Sequence, residues 1–142
     1  RGKLASILPS AWELLLDGGH NEAAATALAS VATNWNDRPL HLVFGMLNSK
    51  EPEAFLKPLA PLVTSLHAVT NPSEENALPA SNLAQIAHQL KIKAHTADSV
   101  SAALQTLSET FSIGRVLICG SLYLAGIVLA ENSYREFSCS VT

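Results

Sequence analysis

The feature that most restricts how this chain can fold is an alternation of short apolar runs with longer amphipathic stretches. The runs are Leu14–Leu16, Leu40–Phe44, Ser65–Val69, Lys93–His95 and Arg115–Cys119, the last rich in β-formers and bounded by Gly114 and Gly120. Between the first two, Ala24, Leu28, Val31, Ala32 and Trp35 recur at helical spacing and predict a helix over 22–35, with Asn21 as its N-cap. Pro52 suits the first turn of a second helix, which has to end or kink near Pro58 and Pro61. Leu83, Ile86, Ala87 and Leu90 form a further stripe, and Val100, Ala103, Leu104, Leu107 and Phe111 another. Residues 122–131 are apolar nearly all round, as in a helix packed between other elements. Strands that are continuously apolar, rather than alternating, are buried on both faces. The pattern therefore predicts an α/β domain, a mostly parallel sheet with helices on both faces.

The 142 residues fit one domain, 1–142. A chain of that size buries roughly 70% of its unfolded surface, enough for a proper core. Lys and Arg number 9 against 12 Asp and Glu, a formal charge of −3. That balance speaks against a nucleic-acid or anionic-membrane surface, which needs clustered basic residues. The longest apolar stretch, Val116–Ala130, is interrupted by Gly120, Ser121 and Gly126. It falls short of the about 20 residues that a membrane span requires. Two cysteines, Cys119 and Cys139, are too few for a disulfide framework or a four-ligand zinc site. Cys119 reads as a small core residue, and a reducing, cytoplasmic setting fits best. The chain begins at Arg1, with neither an initiator Met nor a charged-then-apolar leader, so a fragment or processed product is expected. The polar loop 70–79 and the tail from Ser133, read as an edge strand or frayed end, complete the outline.

In open parallel sheets, ligands bind beyond the carboxyl ends of the strands. Three loops are expected there. Asp17-Gly18-Gly19-His20-Asn21 joins the first strand to its helix: the glycines permit close backbone approach, and the helix N-terminus offers N–H groups to an anion. Asp17 can accept hydrogen bonds from hydroxyls or a base, while His20 and Asn21 can contact a phosphate. The same loop also reads as a plain strand–turn–helix cap. Gly45-Met46-Leu47-Asn48-Ser49-Lys50 places a lysine for an anionic group or for solvent, and Gly120-Ser121-Leu122-Tyr123 is a glycine turn opening a helix. Neither a Gly-x-x-x-x-Gly-Lys-Ser/Thr phosphate loop nor a Gly-x-Gly-x-x-Gly fingerprint occurs. His20, His41, His67, His88 and His95 lack metal-ligand spacing. His41 and His67 are expected as partly buried or edge residues, and His88 on the polar side of its helix.

At these same loops the sequence resembles a known family. Leu14-Leu15-Leu16-Asp17-Gly18-Gly19-His20-Asn21 is similar to the strand–Asp-Gly-Ala/Gly-His-Asn-Pro–helix motif of folylpolyglutamate synthase/dihydrofolate synthase, in the C-terminal domain shared across the Mur ligase superfamily. Gly45-Met46-Leu47-Asn48-Ser49-Lys50-Glu51 resembles that family's Gly-Met-x-x-Asp/Asn-Lys-Asp segment, and Gly120-Ser121-Leu122-Tyr123-Leu124-Ala125-Gly126 its Gly-Ser-Leu-Tyr-Leu-x-Gly close. The matches occur in order over Trp12 to Asn132.

The resemblance implies a Rossmann-like Mur ligase C-terminal domain. The family uses ATP and Mg2+ to join L-glutamate to a folate or dihydropteroate carboxylate through an acyl phosphate. Its N-terminal ATPase domain carries the P-loop, the magnesium ligands and most of the folate site. By similarity Asp17, His20 and Asn21 would bind ATP, and Lys50 and Ser121 would face the incoming glutamate; catalytic residues and metal ligands are not expected in this chain. The isolated domain is expected to be an inactive monomer. Two departures stand out. Glu22 occupies the position of the family's proline, where it still suits the positive end of a helix dipole. The family's Pro-x-Arg motif is expected before Arg1, so Arg1 does not inherit its ATP-binding role. The rival reading is a stand-alone α/β nucleotide-binding or regulatory module using the Asp17 loop for recognition only.

Overall fold

The computed structural model describes residues 4–48, 50–70 and 75–132. Strands β1 (Glu13–Leu16), β2 (Leu40–Phe44), β3 (Ser65–Ala68), β4 (Ala94–Thr96) and β5 (Arg115–Cys119) alternate with helices α1 (Glu22–Ala32), α2 (Pro52–Leu56), α3 (Ala80–Gln89), α4 (Val100–Thr110) and α5 (Leu122–Asn132). All strand pairs are parallel, in the order β1-β5-β2-β3-β4. The α/β expectation holds.

Topology explains the two layers of helices. Parallel crossovers are right-handed in about 98% of cases, so successive crossovers that step in one direction across a sheet leave their helices on one face. From β1 to β4 the chain steps one way, and α1, α2 and α3 share a core with Leu42, Phe44, Leu66 and Leu117. The return from β4 inserts β5 between β1 and β2, which sends α4 to the opposite face. There Leu104 and Leu107 of α4, with Leu124 and Val128 of α5, pack on Val43, Val116 and Ile118. Every residue of β2 and β5 is buried, which is why both runs are apolar without alternation.

Several expectations are corrected. Helix α1 stops at Ala32, not Trp35, and Val31 of the supposed apolar stripe is 53% exposed. Past Ala32 the chain tightens, with Asn34 N–H on Val31 O and Trp35 N–H on Ala32 O. Trp35 then places its ring 5.2 Å from the Arg115 guanidinium carbon, a cation–π contact that a continued helix would not be free to make. Strand β4 begins one residue late, at Ala94, although Lys93 O still accepts from Leu66 N–H.

His41 is not an edge residue: it is fully buried in the central strand, because Ser65 Oγ lies 2.6 Å from its Nδ1 and the Trp12 and Phe111 rings pack around it. His67 is buried as well. His88 is exposed as expected, yet its Nε2 is 3.0 Å from Ala94 O and ties α3 to β4. Helix α5 packs by one side, through Leu124, Ala125 and Val128, while Gly126 and Ala130 are exposed among the described residues. Ser49, part of loop 70–79 and the tail from Ser133 lie outside the described residues. Among the described residues, no helix is long and apolar enough to cross a membrane.

Candidate functional site

Strands β1, β5 and β2 are neighbours, so the loops that leave their carboxyl ends emerge side by side. Two hydrogen bonds stitch these tips together beyond the strands: Asp17 N–H to Ile118 O at 2.9 Å, and Gly45 N–H to Cys119 O at 3.3 Å. Parallel strands lie ~4.8 Å apart, so three consecutive tips form one continuous rim.

The first loop is shaped by its own side chains. Asp17 Oδ1 accepts from Gly19 N–H at 2.7 Å, closing a tight turn. A methyl group on Gly19 would stand 2.6 Å from Ala24 Cβ and 2.8 Å from Asp17 Oδ1, so a side chain would push α1 away from the turn. Asn21 is the N-cap, its Oδ1 accepting from Ala24 N–H at 2.9 Å. The plain-cap reading of the loop is therefore correct as far as it goes. It leaves the second oxygen of Asp17, the amide NH2 of Asn21 and the N–H groups of Glu22 and Ala23 outside these turn and cap bonds. His20 Nδ1 is buried and has no hydrogen-bond partner among the described residues. A buried polar atom without a partner costs about 1–3 kcal/mol, so it is an opening for a donor or acceptor from outside.

His20, Asn21 and Lys50 line one cleft of about 290 Å3, with Glu22, Glu51 and Ala54 completing its walls. A wider hollow of about 530 Å3 continues along α2 past Lys50, Glu53 and Lys57. Sequence reasoning placed His20, Asn21 and Lys50 correctly at the strand tips but missed Glu51 and Ala54. Pro52 at the start of α2 was their signal, because α1 and α2 pack side by side and bring their first turns together.

Asp17 and Ser121 are not in the walls of that cleft. Asp17 instead acts on Cys119, whose thiol is pushed up by burial and then by the Asp17 charge. Ser121 is 3% exposed, and its hydroxyl accepts from Leu124 N–H at 3.1 Å, so it caps the first turn of α5. Gly120 adopts φ +105, and a methyl group there would strike the Gly45 carbonyl oxygen and the Phe44 ring. Only glycine lets β5 turn into α5 this close to β2. Among the described residues, no three His, Cys, Asp or Glu side chains converge on a metal-sized site.

Fold and rim together define an open parallel α/β domain with its crevice at the carboxyl ends of the central strands, where such sheets hold ligands. A family model, "Dihydrofolate synthetase, C-terminal domain", matches residues 2–131, and the chain belongs to that family. Among solved structures it is similar to a Mycobacterium tuberculosis folylpolyglutamate synthase complexed with ADP and AMPPCP, at 25% identity and TM-score 0.73 over 81% of this chain. It is also similar to a bifunctional folylpolyglutamate synthase/dihydrofolate synthase of Yersinia pestis complexed with AMPPNP and a Mn ion, at 25% identity and TM-score 0.68 over 82% of this chain. A likeness to Escherichia coli FolC in complex with DHPP and ADP, at 21% identity and TM-score 0.69 over 81% of this chain, concerns the fold alone. The chain spans 28% of the first two relatives' length and 27% of the third's. No curated protein matches the sequence.

Proposed function

We propose that this chain is the C-terminal domain, over 1–142, of an ATP-dependent amide ligase that adds L-glutamate to dihydropteroate or folates. The observation that supports this reading best is the convergence of His20, Asn21 and Lys50 in one cleft, together with the unpartnered buried Nδ1 of His20. ATP would supply the activation of the folate carboxylate as an acyl phosphate, open to attack by the glutamate amine. The residues of this chain bind and orient. The free N–H groups at the start of α1 and the Asn21 amide suit phosphate oxygens. His20 offers a ring nitrogen to the same group, and the free oxygen of Asp17 suits a ribose hydroxyl or a base edge.

Lys50 shares the cleft with Glu22 and Glu51, so a bound anion would compete with those carboxylates for its charge. We assign it to the carboxylate of the incoming glutamate, with Ser121 holding α5 in place behind it. Mg2+ would be liganded by an N-terminal ATPase domain, the partner that closes the open side of the cleft in the cytoplasm. On this reading the isolated chain is an inactive monomer. Titration calorimetry with magnesium ATP tests it: binding weaker than about 1 mM, which corresponds to ~4 kcal/mol, is expected of a single cleft wall. Micromolar binding or turnover by the chain alone would contradict the reading and favour a self-sufficient nucleotide-binding module.

A further inference from the structure

The face of the sheet covered by α4 carries polar side chains that the proposed ligase chemistry does not use. His67 of β3 and His95 of β4 are direct cross-strand partners, with ring centroids 5.4 Å apart. Lys93 precedes His95 on the same side of its strand. All three open onto a hollow of about 500 Å3 between β3, β4 and the last turns of α4, where Thr106 and Phe111 form part of the opposite wall. That volume falls in the ~300–1,000 Å3 range of small-molecule sites.

The lining sets the sign of what fits there. Its charged and titratable members are Lys93, His67 and His95, and no carboxylate is among them. The ion pairs of the described residues engage Arg38 and Arg115, not Lys93. On α4 the Ser108 and Thr110 hydroxyls donate back to the Gln105 and Thr106 carbonyls, and Phe111 N–H donates to Leu107 O. The hydroxyl of Thr106 makes no hydrogen bond among the described residues.

We propose that this hollow binds a small oxyanion, a phosphate or carboxylate group, held by Lys93, His95 and His67 with the Thr106 hydroxyl as a further donor. Charge-assisted bonds from an ammonium and an imidazolium to an oxyanion are about twice as strong as neutral ones, and a half-enclosed site strengthens them. Burial, and then the charge of His95, hold the His67 imidazole below its ordinary range. An anion seated in the hollow beside the two rings offsets the second cause. The groups facing His67 are His41 from β2 and Lys93 and His95 from β4, none of them negative, while α4 contributes only uncharged side chains. Protonation of His67, which its surroundings resist, is favoured by a bound anion, so binding tightens as pH falls. The hollow lies on the other face of the sheet from α1 and α2 and toward the opposite edge from β1, so its fate is independent of the ligase reading.

The test is an NMR titration of the imidazole ring protons of the chain at about pH 6, in separate arms with inorganic phosphate, acetate and Zn2+. Phosphate or acetate should shift the His67 and His95 signals saturably and raise the His67 titration midpoint, the tighter of the two naming the anion. Lys93 and His95 are exposed, so Lys93→Gln with His95→Gln should keep the fold, checked by circular dichroism. The double variant should bind at least about tenfold more weakly, since two charge-assisted bonds are lost. Three results would each overturn the proposal: no saturable shift with either anion, undiminished binding by the double variant, or ring shifts with Zn2+ and none with the anions.

Discussion

The two ends of β5, a strand of five residues, are built on opposite principles. At the amino end, Arg115 is buried among partners. Its guanidinium contacts Glu13 and Asp37, the latter at 3.1 Å, and lies over the Trp35 ring. Burial works against that charge, but the hydrogen bonds to Glu13 and Asp37 outweigh it and hold the Arg115 pKa above its ordinary value. At the carboxyl end the strand runs into Cys119, Gly120 and Ser121, small residues that let three loops crowd together. One end locks the inserted strand in place. The other packs small residues tightly beneath an open rim, where the proposed function puts the ligand.

The largest effect should come from filling the open end. Gly120→Ala combines a backbone at φ +105 with a collision against Gly45 and Phe44. Strain of ~1–3 kcal/mol and overpacking of a similar size predict a loss of about 3 kcal/mol or more. A thermal melt should show a fall of roughly 10 °C or more. An unchanged melting temperature would mean that the rim is looser than the packing shows.

The middle of the sheet sharpens the comparison through pH. Burial, and then the charge of His67, lower the His41 pKa from 6.5 to about 4. Between those values the unfolded chain binds a proton that the folded chain refuses, so unfolding takes up protons and stability falls with falling pH. The contribution is complete above pH 6.5 and is lost progressively toward about 4. The loss is at most about 3 kcal/mol from this group. Denaturant melts across that window should show the slope, and His41→Asn should flatten it. An equal slope in the variant would assign the acid sensitivity elsewhere.

At the amino end, Arg115→Met should cost about 2 kcal/mol, less than for a fully buried pair because Glu13 and Asp37 are half-exposed and regain water. If the proposed function holds, ligase kinetics of the longer protein are unaffected. A drop in turnover without a drop in stability would erase the division between the two ends.

How much of this was legible in the sequence follows from what each feature depends on. Leu40–Phe44 and Arg115–Cys119 are the observed β2 and β5 to the residue, because burial on both faces makes the runs mostly apolar and glycines or a proline bracket them. The cap at Asn21 and the turn at Asp17 are local chemistry within four residues. What was missed depends on distant packing. His41 is buried because Ser65, 24 residues away, stands opposite it. Glu51 and Ala54 reach the cleft only because α2 lies beside α1. Past the end of α1, Trp35 packs against Arg115, a partner that no local pattern reveals.

The most direct test of the carboxyl-end rim is Asp17→Asn in the longer protein that the proposed function makes a ligase. Asparagine keeps an Oδ1 able to accept from Gly19 N–H, so the turn survives and only the negative charge is removed. Replacing a charged acceptor costs ~1.5–3 kcal/mol. A decade of rate corresponds to about 1.4 kcal/mol. Steady-state kinetics should therefore show kcat/KM for ATP lowered at least about tenfold, with a melting temperature within about 2 °C of the wild type. Unchanged kinetics, or a lowered melting temperature with normal turnover, would show that Asp17 serves the turn alone and that the rim is not where this domain meets its nucleotide.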